Sequence, residues 1–186
     1  MKLDLSEILI HVGMRYPYAV DEPPLVDEDI ECTSRIRGDL VFTNTGSVLL
    51  IDGRFSTKVA VPCSRCLVYF EEPVTGPISE QFPLEMKPAG PRGRVSQVVV
   101  EEDENPDAGR LFEGHLFNLT ELLRQSITLA LPSQPLHDEA CKGLCPVCGQ
   151  DRNEAACQCE SRVLNPALAR LGALLEQLPD SSLRSE

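Results

Sequence analysis

The chain has 186 residues, 42% of them hydrophobic and 25% charged, enough for a globular core and short enough for one domain with an appendage. A formal charge of −12 excludes a protein that coats nucleic acid indiscriminately, because that binding needs clustered Lys and Arg. No apolar run is long enough to cross a bilayer, and Met1 to Glu7 lacks the basic start and apolar stretch of a secretory signal. The expected location is therefore cytoplasmic, where cysteines stay reduced.

In chain order, Asp4-Leu5-Ser6-Glu7 has the form of a capping box and predicts a short helix around Leu5 to His11. The polar, proline-bearing segment from Tyr16 to Glu31 reads as a loop or extended arm and carries a first acidic run. From Ile36 to Phe82 the period is two. Leu40 and Phe42 alternate with polar neighbours, Asn44-Thr45-Gly46 supplies a turn, and Val48 to Ile51 run apolar before Gly53. Phe55, Thr57, Val59 and Val61 then point one way and Arg54, Ser56 and Lys58 the other, a half-buried strand with a basic outer face. Pro62-Cys63-Ser64-Arg65-Cys66 turns the chain into Leu67 to Phe70, which makes a β-meander. Leu84 to Gly93 reads as loop, Val95 to Val100 as strand, and Glu101 to Asp107 as a second acidic run. Asn118 and Glu121 start a helix with Leu119, Leu122, Leu123 and Ile127 on one face, and Pro132 and Pro135 prevent its extension. Asn165-Pro166 opens a last helix with Leu164, Leu168, Leu171, Leu175 and Leu178 in one stripe.

The expected architecture is α+β, a twisted antiparallel β-sheet (meander) covered by these two long helices, with a cysteine-rich zinc-binding C-terminal tail. Residues 1–135 form the β-rich body with its N-terminal arm and one covering helix, and 136–186 the cysteine-rich tail plus C-terminal helix.

Five of the eight cysteines lie between Cys141 and Cys159, which in a reducing compartment points to metal ligation rather than disulfides. In Cys145-Pro146-Val147-Cys148-Gly149, two intervening residues let one turn aim both sulfurs at a single ion, and the glycine permits a positive φ. Cys157 and Cys159 supply two more ligands. Four thiolates complete a structural Zn2+ and leave no open position for water or substrate. Cys63 and Cys66 form a weaker knuckle, because Leu67 stands where glycine is usual; with His137 and Cys141 they are candidates for a second site that pins the tail to the meander. The alternatives for this pair are unmetallated thiols in a strand connection, or redox thiols. A redox pair belongs at a helix N-terminus, whereas strand-like segments flank this one. Cys32 reads as a small buried hydrophobe. The chain has no Gly-rich phosphate loop, no Gly-x-Ser-x-Gly and no paired-histidine motif, so no enzyme is expected. Arg54 and Lys58 share one side of a strand and Arg65 follows at the next turn, a candidate positive binding face whose alternative is an ordinary solvated surface.

The residues Cys63-Ser-Arg-Cys66-Leu67, Leu129-Ala-Leu-Pro132, Cys141-Lys-Gly-Leu-Cys145-Pro-Val-Cys148-Gly149-Gln, Asn153, Cys157-x-Cys159 and Asn165-Pro166 together resemble the YceD family, the large ribosomal RNA subunit accumulation proteins. The resemblance implies a non-enzymatic role in synthesis, processing or stability of large-subunit (23S-type) ribosomal RNA during ribosome biogenesis. The partners it implies are the pre-ribosomal large subunit, ribosomal RNA, a ribosomal protein or a processing factor, with no membrane and no small-molecule substrate. Two rival readings come from other classes. One is a thiol-disulfide oxidoreductase using Cys63 and Cys66. The other is a zinc-dependent transcription regulator, which would need a basic recognition helix, yet Arg124 is the only basic residue between Asn118 and Leu131.

Overall fold

The computed structural model describes residues 1–27, 30–88, 94–98 and 111–159, with 86–88 and 94–98 described by backbone alone. The chain divides into two compact units, Met1–Cys141 and Lys142–Glu186. Residues 136–141, expected with the tail, go with the first unit. The Ser64 N–H donates to the Pro135 carbonyl at 2.8 Å, and Arg65 donates to the carbonyls of Glu139 and Cys141.

Period-two burial governs most of the first unit. Strands β2 (Arg15–Glu22), β3 (Ile36–Asn44), β4 (Val48–Pro62), β5 (Tyr69–Pro88) and β6 (Arg94–Val98) lie side by side in sequence order as one antiparallel meander. In β4, Leu49, Ile51, Phe55, Thr57, Val59 and Val61 are buried, while Asp52, Arg54, Ser56 and Lys58 face outward. A second sheet orders β1 (Lys2–Asp4), β8 (Leu116–Asn118) and β7 (Phe112–Glu113), also antiparallel. The two sheets meet through aromatic rings. Phe42 stands edge-on to Phe117 at 5.6 Å, and Phe82 to Phe112 at 4.8 Å. Such pairs add about 0.5–1.5 kcal/mol beyond the area they bury.

Helix α2 (Leu119–Ala130) starts where the Asn118 side chain accepts from the Glu121 N–H at 3.3 Å. Its Leu119, Leu122, Leu123 and Ile127 are all buried in the core, at roughly 2 kcal/mol each for the transfer from water. Helix α1 (Ser6–Ile10) forms at its expected place but not through a capping box. The Asp4 carboxylate instead accepts from the Ser6 N–H at 2.9 Å, and the Ser6 hydroxyl beside it holds its pKa below the usual range. Asn44, fully buried, ties α1 to the β3–β4 turn. Its Nδ2 donates to the Ile8 carbonyl at 2.7 Å and its Oδ1 accepts from the Gly46 N–H at 2.7 Å.

Two segments differ from expectation. Residues from Tyr16 onward are not a free arm: Arg15 to Glu22 pair with Thr43 to Ile36 along the full length of β2. Pro17 is tolerated because β2 is an edge strand, where a missing N–H costs no ladder bond. The stretch from Leu84 to Pro88, read as loop, continues β5 and pairs with β6. Prolines suggested a break here. Pro73, Pro77 and Pro83, however, occupy the same phase of β5, opposite Lys58, Arg54 and Val48, so all three turn their missing N–H away from β4. The expected helix after Pro166 and the acidic run from Glu101 to Asp107 lie outside the described residues. No helix among the described residues is long and apolar enough to cross a membrane.

Candidate metal centres

Two knuckles are built by the same pair of backbone hydrogen bonds. In the β4–β5 turn, the Leu67 N–H donates to the Cys63 carbonyl at 2.9 Å and the Cys63 N–H to the Val68 carbonyl at 2.9 Å. In the second unit, the Gly149 N–H donates to the Cys145 carbonyl at 2.9 Å and the Cys145 N–H to the Gln150 carbonyl at 2.8 Å. Both turns then need a left-handed residue after the second cysteine. Gly149 adopts φ 74° without strain; Leu67 adopts φ 64°, the one positive-φ side-chain-bearing residue among those described. The leucine that weakened the sequence reading does not prevent the turn: it takes the left-handed conformation with its side chain 61% exposed.

Each knuckle closes on two further ligands. In the first unit, Cys63, Cys66, His137 and Cys141 bring one donor atom each within 4.8 Å of all the others. The Cys63 and Cys141 sulfurs stand 3.9 Å apart, and the Cys66 sulfur lies 3.4 Å from His137 Nδ1. A tetrahedral ion with Zn–S bonds of about 2.3 Å and Zn–N of about 2.0 Å places its sulfurs ~3.8 Å apart and S and N ~3.5 Å apart. The observed edges match those lengths, and the sulfur pair is far too long for a disulfide. Cys63, Cys66 and Cys141 are buried, and Arg65 holds the loop that brings His137 and Cys141 in, donating at 3.0 Å to the Glu139 carbonyl and at 2.9 Å to that of Cys141. In the second unit, Cys145, Cys148, Cys157 and Cys159 likewise converge within 4.8 Å. Asn153 braces this site: its Oδ1 accepts from the Lys142 N–H at 2.8 Å and its Nδ2 donates to Asp151 at 2.7 Å.

Four of these thiols are shifted by their surroundings. Burial pushes the Cys63 thiol up, but the N–H groups of Cys66, His137 and Arg65 outweigh it and bring it down to about 5. For Cys66, the Val68 N–H favours the thiolate, yet burial and the sulfurs of Cys63 and Cys141 prevail and push it up to about 11. The N–H groups of Cys148 and Val147 bring Cys145 down to about 6, and the Cys148 sulfur, with burial, pushes Cys159 up to about 12. Backbone donors thus stabilise the Cys63 and Cys145 thiolates, and neighbouring sulfurs oppose ionisation of Cys66 and Cys159. A cation removes that opposition. Either cluster could therefore hold a metal ion. An ion held by all four donors of either cluster would have no open position.

The remaining candidates scatter. Lys58 pairs with Glu71 at 3.0 Å and Arg65 is spent on carbonyls, so the stripe of Arg54, Lys58 and Arg65 is not a continuous free positive face. Cys32 is buried at 3% exposure beside Val59, and burial raises its thiol pKa. Sequence reasoning missed Arg65 as a loop anchor; an arginine inside a Cys-x-x-Cys turn is the signal that could have shown it.

A β-meander joined to a small sheet, with two four-ligand Cys/His clusters, defines a protein built around candidate structural metal sites. The chain belongs to the YceD family, described as large ribosomal RNA subunit accumulation protein, which matches residues 51–175 and so takes in all eight candidate ligands. No curated protein and no solved structure matches the chain.

Proposed function

We propose that the protein is a non-enzymatic factor that supports synthesis, processing or stability of large-subunit ribosomal RNA, with two zinc ions as structural elements. The observation that carries the reading is the family match over residues 51–175. Membership connects the chain with large-subunit RNA accumulation, and the closed four-ligand clusters favour a scaffold over a catalyst. Three thiolates with one imidazole, and four thiolates, are ligand sets that suit zinc. The partner is the pre-ribosomal large subunit, through its RNA or a bound protein, in the cytoplasm.

A thiol-disulfide oxidoreductase is disfavoured because Cys63 and Cys66 lie in the β4–β5 hairpin turn, rather than at the start of either helix among the described residues, with two further candidate ligands beside them. A transcription regulator is disfavoured because α2 turns its apolar face to the core and its lone Arg124 to Glu121 at 2.6 Å. Depletion of the protein followed by measurement of large- against small-subunit ribosomal RNA tests the proposal. A selective fall in the large-subunit species is expected, and an unchanged ratio overturns it.

A further inference from the structure

We propose that the outer face of β3, β4 and β5 holds a binding site for the phosphodiester backbone of RNA, centred on Arg37, Arg54, Ser56 and Thr75. This deepens the proposed function, on which it rests, by naming the contact through which RNA is held. A cleft of about 660 Å³ opens there, within the usual size of a ligand site. Its floor is two neighbouring cross-strand rows, Asp39–Arg54–Pro77 and Arg37–Ser56–Thr75.

The hollow has a backbone cause. A Cβ on Gly38 would collide with the Arg54 carbonyl oxygen, and one on Gly53 with the Asp39 carbonyl oxygen. Glycine at these two positions lets the β3 and β4 backbones approach more closely than side chains permit.

The lining chemistry suits a phosphate. Two guanidinium groups and the Thr75 hydroxyl offer donors of the kind that bind phosphate oxygens, and the Ser56 hydroxyl, which donates to the Arg37 carbonyl at a long 3.4 Å, can turn to join them, against the single carboxylate of Asp39. Among the described residues Arg54 makes no ion pair. Arg37 has only a loose one, 3.8 Å from Asp21, which Arg35 already engages at 2.8 Å. An exposed pair of that kind is weak, so Arg37 can turn to a ligand at little cost. Phe55, the one aromatic in the lining, is 2% exposed and offers no ring for a base to stack on. The site therefore reads backbone charge rather than base identity. Asp39 and the overall charge of −12 oppose loose association, which leaves a weak, strongly salt-dependent contact.

The test uses the full metal-loaded chain and a short mixed-sequence single-stranded RNA, followed by fluorescence anisotropy across a salt series. Replacing both Arg37→Gln and Arg54→Gln is expected to weaken binding about tenfold or more and to lower the salt slope by about 1.4, at ~0.7 for each phosphate that is no longer engaged. Asp39→Asn, which removes the opposing charge at nearly constant volume, is expected to tighten binding. Arg15→Gln, in the same sheet outside the cleft, is expected to leave it unchanged. Circular dichroism checks that each variant is folded. Undiminished binding by the double arginine variant overturns the site. An equal loss in Arg15→Gln overturns it too, since diffuse charge would then be responsible. Inorganic phosphate or a mononucleotide competing as well as RNA does overturns the assignment to RNA. Failure here is separable from failure of the broader function: if depletion lowers large-subunit RNA but the wild-type chain binds no RNA, this site falls and the assembly role stands.

Discussion

Leu67 offers a measurement that isolates backbone strain in a metal knuckle. It holds φ 64° at a position where its counterpart in the second knuckle is Gly149, φ 74°. A left-handed conformation costs a side-chain-bearing residue about 1–2 kcal/mol. Replacing Leu67 by glycine relieves that strain but gives the unfolded chain about 0.4–1 kcal/mol of extra conformational freedom, and it also deletes what packing the side chain has at 61% exposure. Comparison with Leu67→Ala cancels the packing loss, since both variants delete it. The glycine variant is then expected to exceed the alanine variant by about 0.5–1 kcal/mol, the reverse of the usual order in a strand or helix. For a chain of 186 residues this corresponds to a Tm difference of about 1–4 °C. Thermal and urea unfolding of both variants, metal-loaded, provide the assay. An alanine variant equal to or more stable than the glycine variant would show that Leu67 is not strained and that the two knuckles are not built alike.

Elemental analysis of the purified protein should find about two metal ions per chain. The variant carrying Cys145→Ser and Cys148→Ser should keep one of them and Cys63→Ser should keep the other, because each cluster lies within its own unit; loss of both ions from either variant would contradict this. Acidification should release metal. A thiol whose folded pKa is depressed contributes stability that is present above its ordinary value near 9 and lost as pH falls through the folded value, about 6 for Cys145 and about 5 for Cys63. A bound ion competes with protons and moves release below these metal-free values, so a metal-indicator titration whose release pH is unmoved by the free metal concentration would refute thiolate ligation. Asn44→Ala leaves the buried Ile8 carbonyl with only the His11 N–H at 3.3 Å and takes the acceptor from the part-buried Gly46 N–H, and should cost about 1–2 kcal/mol in urea unfolding; a loss under ~0.5 kcal/mol would mean that α1 is held by other contacts.

Legibility in the sequence followed the scale of the interaction. The alternation in β4 and the apolar face of α2 were readable because each is a local pattern, buried or exposed residue by residue. The sulfur clusters were readable because ligand spacing in a tight turn is a local property as well. What escaped depended on neighbours. Tyr16 to Glu22 looked like an arm because it is polar, and only its pairing with β3 makes it a strand. Residues 84–88 looked like loop because proline is rare in strands, and its phase relative to β4 is not visible in one segment. Lys58 looked free until Glu71 arrived from the opposing strand, and Arg65 until residues 139–141 folded back on it. A pairwise partner far along the chain leaves no mark on the residue it neutralises.

The prolines of β5 carry a further consequence. Among the described residues, β5 is paired on its second side only from Leu84 to Pro88, so the stretch from Tyr69 to Pro83 presents a long border to its surroundings. Pro73, Pro77 and Pro83 strip donors from that border at intervals of four and six residues, always on the same side. An incoming extended peptide would find its ladder interrupted at each proline. Fibril-like stacking of one copy against another along this border is obstructed for the same reason, and a partner that approaches here meets side chains rather than a continuous ladder.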